Sequence, residues 1–136
     1  MATYNKFNSF VEAICEKAHN LGSDTLKVAL TNSAPSASNT ILANITEISY
    51  TNCSSRTLTV SSSSQTSGTY KLILSDLTLT ASGGSVGPFR YVVVYNDTAT
   101  NDELIGWYDV GSNVTLASGE SYLCDFDGSN GLFSLT

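Results

Sequence analysis

The sequence predicts a mainly β fold: an antiparallel β-sandwich or flattened barrel with one N-terminal α-helix packed against it. Three observations predict it. Apolar and polar residues alternate in about eight short segments after residue 25, the period of half-buried strands. Only the stretch near residues 7–20 repeats its apolar residues at helical spacing. Gly, Asn, Asp and Ser clusters punctuate the alternating segments, as turns require. The 136 residues suit one domain with its own core, so residues 1–136 are read as a single unit, with the helix over about 7–20 and β structure over about 25–135.

In the helix, Phe7, Phe10, Val11, Ile14, Ala18 and Leu21 share a stripe from which Glu12, Glu16 and Lys17 fall away. Ser9-Phe10-Val11-Glu12 has the form of a capping box, with Asn5 or Thr3 as alternative caps. Gly22 is placed to end the helix in the left-handed conformation. His19, the only histidine, reads as a helix-end residue facing the terminal carbonyls; with no second His and only Cys15 near it, a role as metal ligand or base lacks support.

Leu26, Val28 and Leu30 then lie on one face of a strand whose apolar side is suited to receive the helix. Residues 31–40 form a loop around Pro35, and residues 41–48 fit either a short strand or an irregular cover. Arg56–Val60 alternates as a strand, and Ser61–Gly68 is a serine-rich surface loop or polar strand edge. Tyr70, Leu72 and Leu74 alternate, but apolar parity changes across Ser75-Asp76, so the region to Leu79 is one bulged strand or two strands.

Phe89–Tyr95 is the central strand. Its two parities are both apolar over part of its length, which calls for cover on both faces, by a second sheet on one and by the helix on the other. A Gly-rich connection precedes it; the connection lacks the Gly-Lys-Ser/Thr ending of a phosphate-binding loop and reads as a turn. Asn96–Glu103 forms the tip of a hairpin that returns through Leu104–Asp109. Strands follow at 112–116, 121–126 and 132–135, and the Asp127-Gly128 and Asn130-Gly131 pairs predict that the last folds directly back on its predecessor. The expected core includes Phe10, Val11, Ile14, Val28, Tyr91, Val93 and Phe126.

Charge narrows the function classes. Net charge is −6, from 12 acidic and 6 basic residues with no Lys/Arg cluster, so no groove able to neutralise several phosphates is visible and direct nucleic-acid binding is not expected. The same sign repels an anionic membrane surface, and no window approaches the roughly 18 apolar residues of a membrane span. Residues 1–6 lack the basic head and apolar run of a secretory signal, so synthesis in the cytoplasm is expected. Cys15, Cys53 and Cys124 are odd in number and far apart, which predicts three thiols with no intrachain disulfide or zinc motif; Cys124 shares parity with Tyr122 and Phe126 and reads as core. Asp125–Ser129 opens like a calcium loop, but Asn130 stands where such a loop needs Gly; only a looser calcium site stays open.

No catalytic set emerges, since the scattered carboxylates define no cleft and a lone His limits every triad. The expectation is a non-enzymatic protein without catalytic residues, metal or cofactor. Candidate contact residues are Trp107, Tyr108, Asp97 and Asp102, with Trp107 read as an inward anchor or as a stacking platform for a sugar or base.

Several motifs carry a resemblance. Lys6–Glu12, His19–Gly22 and Leu26–Pro35 are followed in order by Leu58–Val60, Gly68–Leu72, Ser82–Tyr91, Tyr95–Thr98 and Leu104–Asp109. This ordered set resembles a group of small virion proteins of tailed bacteriophages. The resemblance implies a virion structural protein made in the host cytoplasm, foremost a capsid decoration (cement) protein that binds the major capsid protein or other virion subunits at the head surface and forms homo-oligomers in the particle. A head-completion or tail component is the next reading, and a carbohydrate-binding module the third.

Overall fold

The computed structural model describes residues 2–136 and is a β-sandwich with one short helix. One layer is a four-stranded antiparallel sheet in the order β1 (Thr3–Lys6), β7 (Leu104–Leu116), β6 (Val86–Asn96), β2 (Leu26–Thr31). The facing layer consists of two smaller sheets, β3 (Val60–Thr66), β4 (Thr69–Leu74) and β9 (Phe133–Leu135) in one, and β5 (Leu77–Thr80) with β8 (Ser121–Cys124) in the other. Leu72, Leu74 and Leu79 of the second layer meet Val28, Val92 and Val94 of the first in the main core.

The four-stranded sheet is apolar on both faces, as the central strand predicted, but the covers differ from the expectation. Helix α1 (Ser9–Cys15) lies on the same side as the second layer, where Phe10 joins the main core. The reverse face buries Phe7, Ala29, Val93, Tyr95 and Leu104 under Ile45 and a 3-10 turn at Leu42–Asn44. Residues 32–48 are therefore an irregular cover. Their backbone is tied down by Asn8 N–H to the Ala37 carbonyl at 2.9 Å and by Leu42 N–H to Asp102, Leu104 N–H to Thr40 and Ile48 N–H to Leu30, each at 3.0 Å. Such pairing is what lets a segment without regular structure sit over an apolar face.

Helix α1 is shorter than the apolar stripe suggested. Lys17 turns into the left-handed region at φ 69°, Ala18 N–H donates to the Ala13 carbonyl at 2.8 Å, and Lys17 N–H donates to Ile14 at 3.3 Å. That pair of bonds is a Schellman ending with Lys in the position usually held by Gly. Gly22 is not in a left-handed conformation, and Asn8, not Ser9, Asn5 or Thr3, is the N-cap, without a side-chain cap bond. Consequently Val11 is exposed and Ile14 only half-buried, so neither is the core residue expected; Tyr91 is also half-buried, whereas Phe10, Val28, Val93 and Phe126 are buried. The β structure also begins earlier than residue 25, since Thr3–Lys6 pairs with Asp109–Gly106.

Two strands cover the region that left one or two open. Parity changes at Ser75-Asp76 because β4 and β5 belong to different sheets. The serine-rich segment is a polar edge strand, β3, joined to β4 through Ser67 and Gly68, both at positive φ, the backbone a two-residue hairpin turn requires. The expected final hairpin does not form: β8 pairs with β5 and β9 with β4. The Asp127 carboxylate accepts the backbone N–H groups of Ser129 and Asn130, both at 2.8 Å, and Asp76 accepts that of Phe126 at 2.9 Å. These bonds steer the chain from one small sheet to the other, so the Asp-Gly signal marks a wider turn.

Bulges set the parity of β7. Val94 opposes Gly106 and Tyr95 opposes Leu104, which leaves Ile105 unopposed and free to point into the main core. Between the Phe89–Val114 and Tyr91–Asp109 pairs, Val110–Asn113 face only Arg90. Gly111 at φ 99° takes that bend, and the Asp109 carboxylate accepts its N–H at 2.8 Å. The segments read as 104–109 and 112–116 are thus one bent strand.

Candidate functional site

A groove of about 720 Å³ lies where the main core opens at one end. Its floor is the inner face of the β3-β4-β9 sheet, with Ser63, Tyr70, Phe133 and Leu135. Helix α1 ends before it can cover this part of the sheet. One wall is residues 14–24 and the other is the β6–β7 hairpin tip with Thr98, Thr100 and Glu103.

Aromatic contacts fix the floor. The Tyr70 and Phe133 rings lie 5.7 Å apart at 46°, and Phe133 meets Phe10 edge-on at 5.0 Å. The Tyr70 hydroxyl is 2.7 Å from the Ser63 hydroxyl.

A polar network holds the walls together. Asn96 is fully buried at the end of β6, and its Oδ1 accepts the N–H groups of Thr98 at 2.9 Å and Ala99 at 3.1 Å. Those two bonds identify the other amide atom as the donor nitrogen. Asn96 Nδ2 donates to Asp24 Oδ2 at 2.7 Å and to His19 Nδ1 at 3.0 Å, and Asp24 Oδ2 also accepts the Asn20 N–H at 2.8 Å. His19 must therefore be the neutral tautomer with its proton on Nε2, and that buried Nε2 has no hydrogen-bond partner. Burial pushes the His19 pKa down, and the nearby Glu103 and Asp24 carboxylates oppose the shift in part.

This corrects the helix-end reading of His19. The helix has already stopped at Cys15, and the ring packs against Phe10 at 5.3 Å instead of facing terminal carbonyls. Cys15 is exposed at the groove, Cys53 half-buried and Cys124 buried; burial pushes the Cys124 thiol up to about 12. Among the described residues, no group of three or more His, Cys, Asp or Glu side chains is arranged to hold a metal ion, and no helix is long and apolar enough to cross a membrane.

The residues singled out as contacts do not converge. Trp107 lies on the reverse face of the sheet, half-buried, with its ring 4.6 Å from that of Phe7. Tyr108 points to the opposite face, borders a recess of about 300 Å³ between β7 and β8, and has its hydroxyl pushed up to about 12 by burial. Asp97 forms a 3.1 Å ion pair with Lys27. Asp102 sits at φ 53° beside a recess of about 400 Å³ lined by the 3-10 turn. Sequence reasoning missed Tyr70, Phe133 and the His19–Asn96–Asp24 network, whose members are 77 and 72 residues apart. Comparison of the chain with protein-family models, curated proteins and solved structures finds no match.

Proposed function

We propose that this chain is a non-enzymatic structural component of a tailed-bacteriophage particle, acting as a decoration protein that binds the major capsid protein on the outside of the head. The observation that carries the reading is where the phage-like motifs fall in the fold. Leu26–Pro35, Ser82–Tyr91, Tyr95–Thr98 and Leu104–Asp109 make up most of β2, β6 and the first half of β7, the two central strands and one edge strand of the four-stranded sheet. The resemblance therefore follows the framework of the sandwich.

The surface suits repeated modest contacts. Val11, Leu123 and Leu135 are exposed apolar side chains at 52%, 52% and 57%, placed on α1, β8 and β9. Each is small as an anchor, but a symmetric shell repeats every contact and multiplies it by valency. Copies acting together as a homo-oligomer on the shell fit the same logic.

Quantitative mass spectrometry of purified particles tests the proposal. A decoration protein is expected at a fixed fraction of the capsid-subunit count, with matching density on the head in cryo-electron microscopy, and heads lacking it should be less resistant to heat or low salt. A few copies per particle would transfer the chain to a head-completion or tail role. No copies at all would end the virion reading.

A further inference from the structure

We infer that the groove over Tyr70 and Phe133 is a binding site for a neutral saccharide. A sugar ring offers apolar C–H faces ringed by hydroxyls that both donate and accept, and the groove presents the complement of each. Its floor holds two aromatic rings braced by Phe10, the surface on which a C–H face can be taken out of water. Around the floor stand hydroxyls of Ser63, Thr98 and Thr100 and the carboxylates of Asp24 and Glu103. The wall also contains His19, only 7% exposed and held in place through its Nδ1 by Asn96. A volume of about 720 Å³ falls within the range of about 300–1,000 Å³ common for ligand sites.

Other ligand classes fit less well. Phosphorylated or otherwise anionic ligands would meet two carboxylates against the single cation Lys17. An extended peptide needs a strand edge for its backbone bonds, but the floor is a sheet face in which β4 is already paired on both sides, with β3 and β9. A purely apolar ligand would strip water from Asp24 and Glu103 without replacing it. Asn96 donates to Asp24 and accepts from the backbone N–H groups of Thr98 and Ala99, which ties both walls together, so the site is formed before a ligand arrives.

Affinity electrophoresis of the purified full chain, through gels containing dextran, galactomannan, mixed-linkage β-glucan or the anionic control alginate, tests the inference without any particle. The expected result is retardation by at least one neutral polysaccharide. Tyr70→Ala removes a stacking ring and should weaken that retardation about tenfold or more, the size of effect that losing one stacked ring produces. Tyr70 is partly buried, so Thr100→Arg serves as the second variant: Thr100 is exposed on the rim, and an Arg there obstructs the groove without touching the core. Thr46→Arg, exposed in the cover of the other sheet face, controls for added charge and should bind as the original chain does. Retardation by alginate alone, by none of the gels, or undiminished in a folded Thr100→Arg chain overturns the inference. None of these outcomes bears on particle copy number, so the saccharide site and the virion role stand or fall separately.

Discussion

The two faces of the β1-β7-β6-β2 sheet solve the same problem with different materials. On one face, side chains from β4, β5, β8 and α1 interdigitate with Val28, Val92, Val94 and Ile105 in a continuous core. On the other, a much smaller cluster around Phe7, Val93 and Leu104 is roofed by residues 32–48, which contain only one turn of 3-10 helix. The first face is held by apolar area and close packing, and the second by backbone hydrogen bonds that let an irregular segment lie flat. Apolar sequence on both sides of a strand thus says that cover exists and leaves its form open.

Paired truncations sharpen this contrast. Phe89 is fully buried in the main core and meets Tyr122 edge-on, so Phe89→Ala should cost about 3–5 kcal/mol of unfolding free energy in a denaturant titration. A similar loss from Ile45→Ala would make the two faces equivalent. Instead, Ile45 sits under a roof that can settle, and about 2 kcal/mol is expected. Hydrogen exchange in that variant should rise first across residues 40–48 while β6 stays protected.

Proton linkage tests the groove end of the main core. The unfolded imidazole titrates near 6.5 and the folded one lower, so below pH 6.5 the unfolded chain binds the extra proton. Stability should therefore fall as pH drops through 6.5 and level off once the folded His19 titrates too. His19→Gln should flatten that stretch of the stability profile. A separate acid loss lies lower, where Asp109, held down by Arg90, and Asp127, held down by hydrogen bonds from Asn130 and Ser129, take up protons. If the profile keeps its slope below pH 6.5 without the imidazole, the neutral His19 assignment fails.

The smallest expected effect belongs to the end of α1. Lys17 is exposed and holds a left-handed backbone that Gly adopts without a Cβ clash. Lys17→Gly should leave stability unchanged or raise it by up to about 1 kcal/mol, even though Gly is usually costly near a helix. A loss of 1 kcal/mol or more in thermal unfolding would show that the Schellman ending is not what stops the helix.

Sequence alone carried the strands with a clear apolar signal: β2 and β4 stand where their alternation put them, β6 where its two-sided apolar run put it, and Cys124 and Phe126 are buried as their shared parity implied. It missed β1 because Thr3–Lys6 has no alternation, and its place depends on a partner about a hundred residues on. The apolar period overstates the helix because Ala18 and Leu21 keep it after Lys17 has broken the backbone. Leu21 is still buried, but from a turn. The groove was the least legible feature, since its floor comes from three strands and its walls from two chain segments, and no local pattern joins them. An Asn ending a hydrophobic strand was the one available hint of a buried amide.

The pairing of β1 with β7 also governs when the chain can fold. Thr3 finds its partner only when Asp109 has been made, and at about 5–20 residues per second a ribosome needs roughly 5–20 s to travel between them. Through that interval α1 and β2 have no sheet to join, because β6 is late as well. The early local structure is the β3–β4 hairpin, closed by the Ser67-Gly68 turn. Its outer strand carries paired hydroxyls, Ser62 to Ser64 at 3.1 Å, and so stays hydrated while it waits. Folding is then a late event that commits both layers at once, and newly made chains should gain protease resistance only after β7 has been made.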